Sequence, residues 1–275
     1  MSGLLFLWQK VKLKRRYMQT IRKGSKGAEV RLLRGWLALP GGDEFDAATE
    51  AAVKEYQRQE GLAADGIVGS KTWFALACDN VARRGNVAAE DYESLASALN
   101  IEEAALRAVI DVETGGKGGF CAAGKASILF EGHVFYAELK AAKKNVTDLA
   151  KRYPKIVYPK WTKAYYVGGT GEWGRFKIAC EIERTCAIKA TSFGLFQILG
   201  RNYKLCGCKS AEDFFSKMQR NEAWQLVLGL RFIVNSGLVP YLKKKDWTAF
   251  ARRYNGSGQV SYYAGKLRTA YEKRL

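Results

Sequence analysis

This sequence predicts a mainly α-helical protein in two parts, a small N-terminal module and a larger α-rich domain. Three observations carry that prediction. Apolar residues recur at helical spacing in one segment after another, residues suited to caps and tight turns bracket those segments, and no strand-like alternation dominates. With 275 residues, 48% of them hydrophobic and 12% aromatic, the chain can bury one sizeable core and a second small one.

The first 17 residues stand apart. Leu4-Leu5-Phe6-Leu7-Trp8 is too short to span a bilayer, and Lys10, Lys12, Lys14, Arg15 and Arg16 follow the apolar run, whereas a signal peptide carries its charges ahead of it. Residues 1–17 are expected to form a disordered basic leader, neither signal nor anchor. It is either a tail that touches membranes or an extension from an upstream start codon, with Met18 as the alternative start.

Residues 18–79 run as a turn followed by a helix, twice over. Asp46 to Thr49 precedes one helix and Asp65 to Thr72 the next. The Asp and Gly residues suit tight turns, and each Thr suits the cap of the helix that follows. The last apolar helix of this module is expected to end near Ala77. Arg83-Arg84-Gly85-Asn86 reads as a polar break, which puts a linker at 80–89 and the second domain at 90–275.

Helices are predicted in the second domain at Glu90–Leu99, Glu131–Lys144, Asp213–Met218 behind a Ser210 cap, Asn221–Asn235 closed by Gly237, Trp247–Tyr254 behind an Asp246 cap, and Val260–Lys273. Another lies between the first two. Asn100 with Glu103 forms a capping box, Ala105, Ala108, Val109 and Val112 follow at helical spacing, and Gly115 with Gly116 ends the run. Tyr158–Gly174 is a glycine-rich, aromatic loop with Trp161, Tyr165, Tyr166 and Trp173. Such rings can stack on sugars, or simply pack the loop down.

Glu113 follows Val109 by four positions, on the same helical face, so its carboxylate is aimed inward. Burial and the negative end of the helix dipole both disfavour the charged form and raise the pKa toward that of a proton donor. A general acid needs that property. The bland alternative is a surface Glu leaning over an apolar neighbour.

Other chemistries find little support. His133 is the only histidine, so a zinc peptidase or amidase lacks ligands and neither metal nor cofactor is expected. Cys78, Cys121, Cys180, Cys186, Cys206 and Cys208 do not follow paired metal-ligand spacing, and buried free thiols are the default for them. The net charge of +18 implies an anionic partner. No zinc-finger spacing, basic zipper or RNA-recognition motif accompanies it, so nucleic acid is not expected.

Two resemblances sharpen this reading. Glu113-Thr114-Gly115-Gly116, Thr191-Ser192-Phe193-Gly194-Leu195-Phe196-Gln197-Ile198 and Ala251-Arg252-Arg253-Tyr254-Asn255-Gly256 resemble, in order, the signature of the lysozyme and lytic-transglycosylase superfamily. That resemblance implies Glu113 as the acid, Ser192, Gly194 and Gln197 as the cleft wall, and Tyr254 with Asn255 as supporting and substrate contacts. Lys23 to Val30, Phe45 to Thr49 with Val53, Tyr56 and Gln57, and Gly61 to Trp73 resemble the small three-helix peptidoglycan-binding module of cell-wall hydrolases. Ligand contacts by Asp65, Gly66, Thr72 and Trp73 are implied there, although turn formation alone accounts for the Asp and Gly. Arg34 departs from the Gln that the family usually carries after its Val-x-x-Leu run.

Module first and lysozyme-like domain second, in a strongly basic chain, resembles muramidase-type endolysins of phages that infect Gram-negative hosts. The expected substrate is peptidoglycan, cut between N-acetylmuramic acid and N-acetylglucosamine. Lipopolysaccharide is a further anionic partner, and the protein is expected to be a monomer. Synthesis without a signal peptide in the host cytoplasm would require a separate permeabilising protein for access to the periplasmic wall. Glycoside cleavage usually takes two carboxyl groups. Asp111 points to the opposite helix face, which leaves Glu131 as the first choice for a second acid or as a residue pairing within the core. Lytic transglycosylases manage with a single Glu, so hydrolysis and internal transfer both remain open, as does a wall-binding protein that keeps the cleft without the chemistry.

Overall fold

The computed structural model describes residues 18–115, 118–256 and 258–275, apart from the side chains of Thr114 and Asn255. The expected leader at 1–17 and Gly116 fall outside the described residues. Among the described residues, no helix is long and apolar enough to cross a membrane.

The N-terminal module holds α1 (Ala28–Trp36), α2 (Ala47–Gln59) and α3 (Ser70–Arg84). Its core gathers Val30, Leu33, Phe45, Val53 and Trp73, and Ile21 pairs with Val68 through two backbone hydrogen bonds. Trp73 has no exposed surface; it packs edge-on against Trp36 and donates its indole N–H to the Gln19 carbonyl at 2.8 Å. Neither Thr49 nor Thr72 is a cap. Asp46 caps α2 by accepting from the Thr49 N–H, while Gly69 opens α3 with no side-chain cap.

Both turns are tied by a side chain from the helix before them. Arg34, buried, donates to the Pro40 carbonyl at 3.0 Å, to Asp46 at 3.2 Å and to Thr49 at 2.5 Å. Gln57, also buried, donates to Asp65 at 3.1 Å and Thr72 at 3.2 Å, and accepts from the Gly66 N–H at 2.9 Å. Arg34 thus does for the first turn what Gln57 does for the second, which gives its departure from the usual Gln a structural reason. The third helix runs seven residues past the expected end at Ala77 and closes at Gly85 in the left-handed region, φ 76°. The segment expected to be a linker is therefore helical through Arg84.

The second domain opens with α4 (Ala89–Leu99) and α5 (Glu103–Thr114). Asn100 does not form the expected capping box. Its φ of 56° makes it the left-handed terminus of α4, a conformation Asn tolerates better than most residues, and Glu102 begins α5 instead. A hairpin of β1 (Phe120–Ala122) and β2 (Lys125–Ala126) follows, then β3 (Ile128–Phe130), α6 (Gly132–Ala141) and α7 (Val146–Arg152). Next come α8 (Glu172–Lys189), β4 (Thr191–Phe193) and β5 (Ile198–Leu199). Strands β3, β4 and β5 form an antiparallel sheet in that order, with Leu129 opposite Ser192 and Ser192 opposite Leu199. The chain closes with α9 (Ala211–Arg220), α10 (Glu222–Asn235), α11 (Val239–Lys244), α12 (Trp247–Asn255) and α13 (Val260–Glu272). Ser210, Asn221 and Asp246 cap their helices through side-chain oxygens.

Helix α8 is absent from the sequence-based prediction. It is really two helices that meet at Glu183, whose φ of −161° and ψ of 107° are not helical. The first piece buries Glu172 and Arg175 beside Phe176 and Ala179, so a polar pair occupies its core face and blurs the apolar stripe.

The two parts of the chain touch through charge. Arg231 on α10 bonds Glu60 at 3.1 Å and Asp79 at 3.2 Å, and Asp79 also accepts from the Tyr56 hydroxyl at 2.7 Å.

Candidate active site

Helix α5 delivers Glu113 to a cavity of about 470 Å³. Ala105, Ala108 and Val109 bury the apolar face of that helix, and Glu113 continues it one turn after Val109. The glycine-ended last turn carries the carboxyl to the edge of the core, with Gly115 left-handed at φ 55°. Phe120, Ser127 and Ile128 form one wall of the cavity, Gly194, Leu195 and Gln197 another, and Gly169 a third. Glu113 is the only carboxylate among the described lining residues.

Its Oε1 is buried without a hydrogen-bond partner among the described residues, and burial pushes its pKa up to about 8. Such a group is protonated at neutral pH and has a proton to give. Tyr254 sits within electrostatic reach. Burial first, and the Glu113 charge second, hold its phenol well above the ordinary tyrosine value. The Tyr254 hydroxyl donates to the Phe196 carbonyl at 3.3 Å, and its ring stacks on Phe250 and Tyr263.

The segment after β4 is a tight turn. Gly194 has φ 69° and Gln197 φ 44°, and Gln197 donates its amide to the Gly194 carbonyl at 2.9 Å and the Ser127 carbonyl at 3.2 Å. Ser192 does not join them. It lies half-buried in the middle of the sheet, between Leu129 and Leu199, and does not line the cavity. For Asn255 only the backbone position at the end of α12 is described.

Glu131 is likewise not among the residues that line the cavity. It stands three residues beyond Ile128, roughly 10 Å further along the extended chain. Its carboxylate accepts from the Tyr166 hydroxyl and lies 3.4 Å from the His133 Nδ1. These contacts tie Glu131 to the aromatic loop, at the end of the β3 strand that leads away from the cavity.

That loop has a second, stronger anchor. Glu172 has no exposed surface; it accepts from the backbone N–H groups of Val167 at 2.8 Å, Gly168 at 3.2 Å and Phe130 at 3.2 Å, and pairs with Arg175 at 2.8 Å. Gly169, next in the chain, lines the cavity. Of the loop aromatics, Tyr158 is buried, Trp173 donates to the Ala126 carbonyl at 3.0 Å, and Trp161 is 60% exposed.

Gln225 is the residue that reading the sequence missed. It has no exposed surface, lies inside an apolar helix, and braces both sides of the cavity. It accepts from the Leu195 N–H at 3.0 Å and donates to the Gly119 carbonyl at 3.1 Å and the Met218 carbonyl at 2.8 Å. A Cβ at Gly119 would stand 1.8 Å from its Oε1, and one at Gly194 would stand 2.7 Å away, so glycine is required at both places. Gln225→Leu strands these buried backbone groups and is expected to cost about 2–4 kcal/mol, read as a lower urea midpoint at unchanged slope. A midpoint equal to that of the parent would refute the brace.

In the module, a groove of about 370 Å³ is lined by Gln57, Leu62, Asp65, Ile67 and Thr72 among others. Asp65 and Thr72 border it, and Gly66 supplies the left-handed turn at φ 75°. Trp73 is corrected from ligand contact to core residue, since its whole surface is used in packing.

Comparison with known proteins identifies the family of each part of the chain. The N-acetylmuramidase family matches residues 102–274, and the putative peptidoglycan binding domain matches residues 26–76. The crystal structure of the endolysin of Burkholderia phage AP3 is similar at 34% identity and a TM-score of 0.59, over 93% of this chain and 98% of that one. No curated protein matches. The chain belongs to the N-acetylmuramidase family and carries an N-terminal peptidoglycan-binding domain. It is a peptidoglycan-cleaving enzyme of the endolysin kind.

Proposed function

We propose that this chain cleaves the β-1,4 bond between N-acetylmuramic acid and N-acetylglucosamine, with Glu113 as general acid, and so lyses bacterial cells. One observation carries the reading: a largely buried carboxyl, its Oε1 without a hydrogen-bond partner among the described residues and its pKa raised to about 8, lies in the wall of a cavity large enough for a sugar. Glu113 protonates the glycosidic oxygen as the bond breaks, and positive charge grows on the muramic acid ring. Gly194 and Gln197 border the sugar, and Tyr254 supports the wall behind Glu113. The module concentrates the enzyme on the wall. The net charge of +18 favours the anionic wall and outer-membrane lipopolysaccharide alike.

Water completing the reaction makes the enzyme a hydrolase of the lysozyme type. The absence of a second carboxylate among the described lining residues favours one other reading, a lytic transglycosylase in which the substrate's own hydroxyl attacks. Mass spectrometry of muropeptides released from purified sacculi decides between them. Reducing muramic acid ends are expected; anhydro ends would establish transfer instead, and products bearing only cleaved peptides would reject both.

A further inference from the structure

A larger groove, of about 850 Å³, lies between α13 and the last turn of α5. Asp111 and Gly115 line it from α5, and Gly115 is two residues past Glu113. Tyr262, Lys266, Lys273 and Arg274 line it from the other side. Among the described lining residues, three cations thus face one carboxylate, and Arg274 already holds Asp111 through bonds of 2.6 and 2.8 Å. Lys266 and Lys273 are exposed. The Lys266 ammonium lies 4.6 Å from the centre of the Tyr262 ring, which is itself 61% exposed.

We propose that this groove binds the anionic stem peptide of the glycan strand being cut. The proposal rests on glycan cleavage at Glu113. A stem peptide branches from the lactyl group of muramic acid, the sugar at the scissile bond, and carries more free carboxylates than amines. The glycan backbone itself is uncharged and offers these lysines no partner. Reach is adequate: the groove begins across the width of one helix from Glu113, about 10 Å, and four extended residues span about 13 Å. Charge complementarity selects the peptide, and the exposed Tyr262 ring offers a flat apolar face for its aliphatic parts. Stacking against that ring keeps the Lys266 ammonium over the groove before substrate arrives.

The test compares intact sacculi with the same sacculi stripped of stem peptides by an amidase, scoring new glycan ends released by the full chain. In the Lys266→Glu/Lys273→Glu double variant, kcat/KM on intact sacculi is expected to fall about tenfold, the effect two exposed ion pairs can supply. On stripped glycan the same variant is expected to stay within about twofold of the parent, because no stem peptide is left to reach the groove and the lactyl carboxylate that the amidase frees stays on the sugar itself. Equal losses on both substrates, or no loss on either, would overturn the groove. So would an equal loss in a Lys140→Glu/Lys151→Glu control, whose exposed lysines lie on α6 and α7 and change net charge by the same amount. If the parent protein releases no glycan ends from either substrate, the cleavage reading itself fails and the groove falls with it.

Discussion

Glu113→Gln is expected to lower kcat on purified sacculi by about 10³-fold or more while leaving wall binding unchanged, since one positioned general acid contributes about 10²–10⁴-fold and no other carboxylate among the described lining residues can replace it. Glutamine keeps the shape of the side chain but has no proton to give at any pH. Sedimentation with sacculi reports binding and release of soluble muropeptides reports chemistry; a variant retaining more than about a tenth of the parent rate would remove Glu113 from the acid role.

The raised pKa adds a pH signature. Activity should decline as pH climbs through about 8, where Glu113 loses its proton. Stability follows the same sign. The folded protein holds a proton on Glu113 that an unfolded chain releases near its ordinary value of 4.5, so ΔG of unfolding falls between pH 4.5 and about 8 and is level above it. The Gln variant lacks that decline, and urea midpoints of the two proteins across this range should converge toward low pH and separate toward high pH.

Arg175→Met is expected to destabilise the enzyme by about 3–5 kcal/mol, because it leaves the Glu172 carboxylate buried with no compensating charge. Arg175 also donates to the carbonyls of Phe130 at 2.9 Å and Lys155 at 3.3 Å, so backbone groups on two other segments lose their partner. For a chain of this size the change corresponds to a fall in Tm of roughly 10 °C. Glu172 holds Val167 and Gly168 by their backbone, so the variant should also raise KM through a loosened wall at Gly169. The double variant Glu172→Gln/Arg175→Met removes the stranded charge and should recover more than half of the lost stability. No recovery would mean that the pair acts through packing alone.

Much of this is legible in the sequence. The helix of Glu113 declares itself by spacing, and the Ser210 and Asp246 caps by side chains that can satisfy free N–H groups at the next turn. These are local signals. Gln225 has none: it stands in the apolar run of α10, and its role appears only when the fold brings Gly119 to it from 106 residues away and Leu195 from 30. Glu131 shows a different limit of local signals. Apolar neighbours mark a residue as inward-facing without saying which interior it meets, and the short β3 strand sends it to Tyr166. Ser192 stands in the sheet rather than in the cavity wall, because the turn that shapes the cavity starts two residues later. The Asp and Gly of the second module turn were read correctly as turn formers, whereas Trp73 shows that an aromatic in a binding motif can be entirely structural.

The clasp that Arg231 forms on Glu60 and Asp79 bears on how such an enzyme meets an insoluble lattice. With its anchor braced against the cutting body rather than swinging on a string, each docking event should bring the blade down at one offset and one angle. Where the mesh is severed is then governed by the spacing of the mesh itself, and prying the clasp apart should scatter the cuts before it slows them.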